Sequence, residues 1–202
     1  HFNNALQPLI DLAKIGYINP QCIITFHGYD AYLDSKEIFQ KKYAEFYKKH
    51  VKYITINSEH LTKRAIKLGV ESSLIKIVPI GINSNLFTSF HKNILDKPVV
   101  ELISVGRLIQ WKGHIYGIKA VKKLIDRNCK VNYTIIGKGD LDSDLKQEIK
   151  EFNLEKFIHI EGAKSQNEIA KYLKSSHISI LPSTYDNKVL RRETFGLVSV
   201  EA

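Results

Sequence analysis

The sequence predicts an α/β fold built on parallel sheets, arranged as two incomplete Rossmann-like halves. Three observations carry this. Short, nearly continuous apolar runs alternate with amphipathic stretches along the chain, the pattern of strands covered by helices on both faces. Several of the apolar runs stop at Gly or Pro before the next helical stretch opens. The alternation breaks once, over residues 84–98, which have no clean period and end in Pro98. Within that break, 89–98 is read as a linker between a first half, 1–88, and a second half, 99–202.

The elements follow in order. Residues 4–14 read as a helix and Cys22–Phe26 as a strand. Residues 36–50 carry Phe39, Tyr43 and Tyr47 on one helix face. Tyr53–Ile56 is a strand, Ser58 caps a helix through Leu68, and Gly69 stops it. Ile75–Pro79 is the last strand of the first half. The second half begins with strand Val99–Val105, ending at Gly106. A helix over 113–127 places Ile115, Ile118, Val121 and Ile125 on one face. Strand Val131–Ile136 runs into Gly137-Lys138-Gly139, and a helix over 141–153 carries Leu141, Leu145, Ile149 and Phe152. Strand Phe157–Ile160, a helix over 166–175, a strand over 177–181 and a helix from 195 to 202 complete it. That is three strands and then four, against about six in a full doubly wound domain.

Composition excludes several classes. The chain has 202 residues, 44% of them hydrophobic and 25% charged, enough apolar residues for packed cores. No apolar run approaches the roughly 20 residues that cross a bilayer, and the opening HFNNALQPL has no secretory-signal pattern. Cys22 and Cys129 are far apart and form no CxxC pair, which argues against a disulfide scaffold or a Cys-rich zinc site and fits a reducing cytoplasm. The histidines show no metal-ligand spacing, so no protein-bound metal is expected. The chain opens on His1, holds no Met, and ends inside the last helix; a piece cut at both ends is expected. Thirty basic against 21 acidic residues give a net charge of +9. Dispersed lysines such as Lys41, Lys42, Lys48 and Lys49 read as solvated helix faces rather than a nucleic-acid surface.

Ligands of open α/β sheets bind at the carboxyl ends of the strands, and four loops there have suggestive content. Gly106-Arg107 with Lys112-Gly113 places two cations that can flank a diphosphate; an ordinary turn with solvated cations reads equally well. Gly137-Lys138-Gly139-Asp140 admits close approach of a phosphate or sugar to backbone N–H groups, but lacks the full dinucleotide fingerprint. Glu193-Thr194-Phe195-Gly196-Leu197 and Glu201 put two carboxylates around a helix start, suited to sugar hydroxyls on either side of a phosphate; an early Glu is also favoured by the helix dipole alone. His27-Gly28-Tyr29-Asp30 offers a histidine from the first half, as a hydrogen-bond donor or simply as a turn residue.

The order of these loops is more specific than any one of them. Ser104 to Gly113, then Gly137-Lys138-Gly139, then Leu181-Pro182-Ser183, then Glu193-x-Phe195-Gly196-Leu197 with Glu201 resembles the donor half of glycosyltransferase family 4, retaining enzymes with the GT-B fold of two facing Rossmann-like domains. Thr25-Phe26-His27-Gly28-Tyr29-Asp30 and Pro79-Ile80-Gly81-Ile82-Asn83 with Phe87 resemble that family's first-domain loop and its approach to the interdomain linker. The resemblance is strongest to bacterial exopolysaccharide and lipopolysaccharide enzymes.

The resemblance implies a sugar moved from a nucleotide-sugar donor to a saccharide or lipid-linked acceptor, with retention and without metal or other cofactor. It implies that Arg107 and Lys112 hold the donor diphosphate and that Glu193 contacts sugar hydroxyls. It implies that the amides of Phe195, Gly196 and Leu197 meet sugar or phosphate, with Gly106, Gly137 and Gly139 lining the donor loops. Glu201 would take the ribose hydroxyls, and His27 would lie by the reacting sugar. The implied place is the cytoplasm, at the inner face of the cell membrane, with peripheral membrane contact and no nucleic acid. The competing expectation is a non-catalytic nucleotide- or sugar-binding module, or an inactive fragment of such an enzyme.

Overall fold

The computed structural model describes residues 7–28, 45–67, 69–88, 98–185, 193 and 195–202. The chain divides into two compact units, His1–Gly81 and Ile82–Ala202. The residues around Phe87, which the sequence pattern grouped with the first half, therefore belong to the second. Phe87 packs against Ile103, Ile136 and Leu173, and that apolar contact outweighs its place before the linker. Most of the expected linker, together with Phe39, Tyr43, Lys41 and Lys42, lies outside the described residues.

The first unit contains α1 (Gln7–Lys14), β1 (Cys22–Phe26), a helical segment α2 (described over 45–50), β2 (Val51–Ile56), α3 (His60–Lys67) and β3 (Ile75–Ile77). The strands form a parallel sheet in the order β1-β2-β3. β2 starts two residues before its expected start, because Val51 is buried and pairs with Cys22. Tyr47 is fully buried, as a core stripe requires, whereas Lys48 and Lys49 are exposed. α3 opens with the Leu61 N–H donating to the Ser58 carbonyl, and Gly69 at φ 91° takes the chain out of it.

The second unit contains β4 (Val100–Val105), α4 (His114–Asp126), β5 (Val131–Ile136), α5 (Asp142–Glu151), β6 (Ile158–Ile160), α6 (Gln166–Ser175), β7 (Ile178–Ser179) and α7 (Val198–Glu201). Its parallel sheet has the order β6-β5-β4-β7, with β4 and β5 central. Ile118, Val121, Leu145 and Ile149 turn their helix faces onto the sheet core with Tyr133 and Ile135. α6 starts at Ser165, whose side chain accepts from the Glu168 N–H while Glu168 accepts from the Ser165 N–H, a reciprocal cap. Two expected elements are shorter than the pattern suggests. β7 holds only two residues, although the His177 and Ile180 amides continue the pairing to Glu101 and Ile103. α7 begins at Val198 rather than 195, because Gly196 at φ +70° cannot join a right-handed helix. Glu201 consequently sits in the first turn of α7.

A buried polar chain ties β7 to the sheet centre. The Ser104 Oγ donates to the Ile180 carbonyl at 2.6 Å and lies 2.7 Å from the Tyr133 Oη. Ser104 has one proton, so Tyr133 is the donor of the second bond. Burial pushes the Tyr133 phenol up to about 12. Gly117 of α4 lies over this hydroxyl, and a Cβ there would come within 2.4 Å of it. That contact explains a glycine inside a helix, where it otherwise costs about 1 kcal/mol.

Candidate functional site

The loops of interest lie at the carboxyl edge of the second unit's sheet. β4 ends at Val105, and the amide of the next residue, Gly106, donates to the Ile136 carbonyl. Beyond it, Leu108 donates to the Lys138 carbonyl, and its own carbonyl accepts from Leu141. The two loops are thus bonded backbone to backbone. A Cβ at Gly137 would fall 1.9 Å from the Gly106 carbonyl oxygen, and one at Gly139 2.4 Å from that of Leu108. The space at both glycines is taken by the chain's own backbone, a packing reason that the sequence reading, which assigned them to ligand approach, did not supply.

Arg107 leaves the turn exposed, its guanidinium 5.5 Å from the Trp111 ring centroid, a cation–π distance. Trp111 belongs to a short 3-10 turn, Gln110–Lys112, that ends in Gly113 at φ 69°. A Cβ on Gly113 would lie 1.9 Å from the Pro182 carbonyl oxygen, and the Thr184 N–H donates to Trp111. The segment after β7 is therefore keyed directly against the Lys112 turn.

Lys112 extends over Gly106 and forms an ion pair with Glu193. The residues are 81 apart in sequence. The other Glu193 oxygen accepts from the Gly196 N–H at 3.1 Å. Burial by itself raises the Glu193 pKa, but the Lys112 ammonium and the Gly196 and Phe195 amides outweigh it and hold the carboxyl below the usual range. Gly196 is buried, Phe195 and Leu197 half-buried. Glu201 is placed elsewhere. It lines a small pocket with Leu86, Phe87, Ala170, Leu173 and Lys174, and burial raises its pKa.

Two features carried no recognised signal. His114, one of several scattered histidines in the sequence, is 4% exposed and lies behind the Gly106–Arg107 turn. A cavity of about 480 Å³ opens beside Gly139, between Lys138, Asp142, Lys146, Glu161 and Gly162. His27 stands exposed at the carboxyl end of β1 in the first unit, followed by the buried Gly28; Tyr29 and Asp30 lie outside the described residues. Among the described residues no three His, Cys, Asp or Glu side chains form a metal-holding group, and no helix is long and apolar enough to cross a membrane.

The two parallel α/β units have the architecture of GT-B glycosyltransferases of known structure. The chain belongs to the family described as glycosyl transferases group 1, whose model matches residues 87–202. It is 29% identical over 186 residues to the amylovoran biosynthesis glycosyltransferase AmsK of Erwinia amylovora, covering 91% of this chain and 45% of that protein. It is 26% identical over 186 residues to the putative colanic acid biosynthesis glycosyltransferase WcaL of Escherichia coli K12, with the same coverage. The chain thus spans about half the length of the curated relatives it matches. Its fold is similar to that of Anabaena Alr3699/HepE solved in complex with UDP, with a TM-score of 0.75 and 18% identity, over 98% of this chain and 54% of that one.

Proposed function

We propose that the chain carries the donor site of a retaining family 4 glycosyltransferase of polysaccharide biosynthesis, acting on a nucleotide-sugar and a saccharide or lipid-linked acceptor. The observation that carries the reading is the Lys112–Glu193 pair. It brings a cation and a carboxylate together at the carboxyl edge of a parallel sheet, inside the segment that matches the family. A diphosphate joined to a sugar needs those two chemistries side by side: a cation for the phosphates and an acceptor for hydroxyls. The names of AmsK and WcaL support the polysaccharide context.

On this reading Arg107, fixed against Trp111, and Lys112 hold the two phosphates. Lys112 exchanges Glu193 for phosphate as the donor enters, and Glu193 turns to the sugar hydroxyls. That movement also frees the Gly196 and Phe195 amides, which then join that of Leu197 at the anion. Glu201 takes the ribose hydroxyls. The sugar leaves its diphosphate while the acceptor hydroxyl attacks from the same face. The departing phosphate accepts the hydroxyl proton, and Arg107 and Lys112 stabilise its charge. No protein nucleophile and no metal takes part. His27 serves the acceptor side. The excess of basic residues, with Lys48 and Lys49 exposed, supports contact with an anionic cytoplasmic membrane surface.

The test is product stereochemistry. The protein is incubated with UDP-, GDP- and ADP-sugars of α configuration and a lipid-linked or free saccharide acceptor. An α-linked product by NMR, lost in Lys112→Ala, supports the proposal; a β-linked product overturns the retaining mechanism.

A further inference from the structure

His114 is the first residue of α4 and is almost fully enclosed. Its Nε2 lies 3.1 Å from the Arg107 carbonyl oxygen. A carbonyl only accepts, so the proton resides on Nε2. Its Nδ1 is buried with no hydrogen-bond partner among the described residues. A histidine used for packing alone is a poor choice here, since an orphaned ring nitrogen is a cost that an aromatic hydrocarbon would avoid. The Nε2–H bond is the gain that offsets it. The rest of the turn is already gripped by backbone, with Gly106 against Gly137 and Leu108 bonded to Lys138 and Leu141. The Arg107 peptide is the link between those grips: its Leu108 N–H is tied to Lys138, and its carbonyl accepts from the Ile109 N–H at 3.0 Å and from His114, the contact that ties it to α4.

We propose that His114 is a positioning residue for Arg107: by donating Nε2–H to the Arg107 carbonyl it fixes the direction in which the guanidinium leaves the turn toward the donor phosphates. This rests on the donor-site reading, through the role of Arg107. The ring acts at the turn rather than on the ligand; it anchors to α4 a carbonyl whose other bond, from Ile109, is local to the turn.

The experiment is calorimetric titration with UDP, GDP and ADP, taking forward the tightest. His114→Phe keeps the ring and loses the donor; about 3- to 10-fold weaker binding is expected, the effect of one net hydrogen bond. His114→Gln places an amide N–H as many bonds from Cα as Nε2 and is expected to stay within about 2-fold of wild type. His114→Asn is too short and is expected to behave like Phe. A packing role gives the opposite ranking, with Phe retained and Gln impaired. In an Arg107→Ala background the Phe change adds nothing further, because His114 acts through Arg107. Additive losses, or Phe binding as tightly as wild type, overturn the proposal. If Phe fails to fold, the comparison of Gln with Asn decides it in the same way. Nitrogen-15 NMR of the imidazole reads the tautomer without any ligand, and an Nδ1–H ring also overturns it. Should a folded wild-type chain bind none of the three diphosphates, the donor-site reading falls and this role with it; binding that ignores His114 removes only the positioning role.

Discussion

Three glycines of the second unit share a φ near 70° and differ in what faces them. Gly113, Gly162 and Gly196 have φ of 69°, 70° and 70°. Alanine at any of them takes on the left-handed strain of about 1 kcal/mol. At Gly162 the new Cβ meets only the end of the Lys138 side chain at 3.9 Å, so the cost stops there. At Gly196 it meets the Leu181 Cδ2 at 2.6 Å, which a leucine relieves partly by turning; the total is about 2 kcal/mol. At Gly113 it meets the Pro182 carbonyl oxygen at 1.9 Å. No rotamer relieves that contact, and the two backbones must part until they reach the 3.4 Å of ordinary contact. The expected loss is about 3–4 kcal/mol. Urea unfolding followed by fluorescence reads this directly, since the chain's one tryptophan, Trp111, lies in this unit. The midpoints should fall in the order Gly162→Ala, Gly196→Ala, Gly113→Ala with unchanged slopes. Equal losses at all three sites would refute the argument that the segment after β7 is keyed into the Lys112 turn.

Burial, followed by the nearby Lys112 charge, depresses the His114 pKa and outweighs the help of the Arg107 and Gly106 backbone. The folded state thus binds fewer protons than the unfolded one, so stability is full above the unfolded imidazole's value of about 6.5 and declines as pH falls below it. Urea midpoints across this range should show that decline, and His114→Phe should flatten it. Tyr133→Phe removes the donor to Ser104 but leaves Ser104 bonded to Ile180; about 1 kcal/mol should be lost in the same assay. Glu193→Gln weakens the hold on Lys112, so nucleoside diphosphate binding by calorimetry should tighten while sugar transfer falls. Weaker diphosphate binding in that variant would show that Glu193 does not compete for Lys112.

The regular elements were legible where one pattern settles them. Cys22–Phe26 and Val131–Ile136 are apolar runs between breakers, and Gln166–Ser175 carries a complete cap. Boundaries set by tertiary contacts were not. Val51 joins its strand through Cys22, and Gly196 delays α7 by its dihedral. The loops were found because ligand loops of this architecture fall after strands. Their internal partnerships were hidden, since nothing local links Lys112 to a glutamate 81 residues away. His114 was passed over because its burial exists only once the Gly106 turn folds across it. The residues around Phe87 were grouped with the wrong unit because an apolar side chain beside a linker carries no mark of the core it will join.

The central claim is that the loops around Lys112 bind a nucleoside diphosphate. Calorimetric titration of the folded chain with UDP, GDP and ADP, beside Lys112→Ala and Arg107→Ala, tests it most directly. The account predicts binding of one diphosphate, at least about 10-fold weaker in each variant, as loss of a charge-assisted phosphate contact implies. Binding that both variants leave unchanged would contradict it.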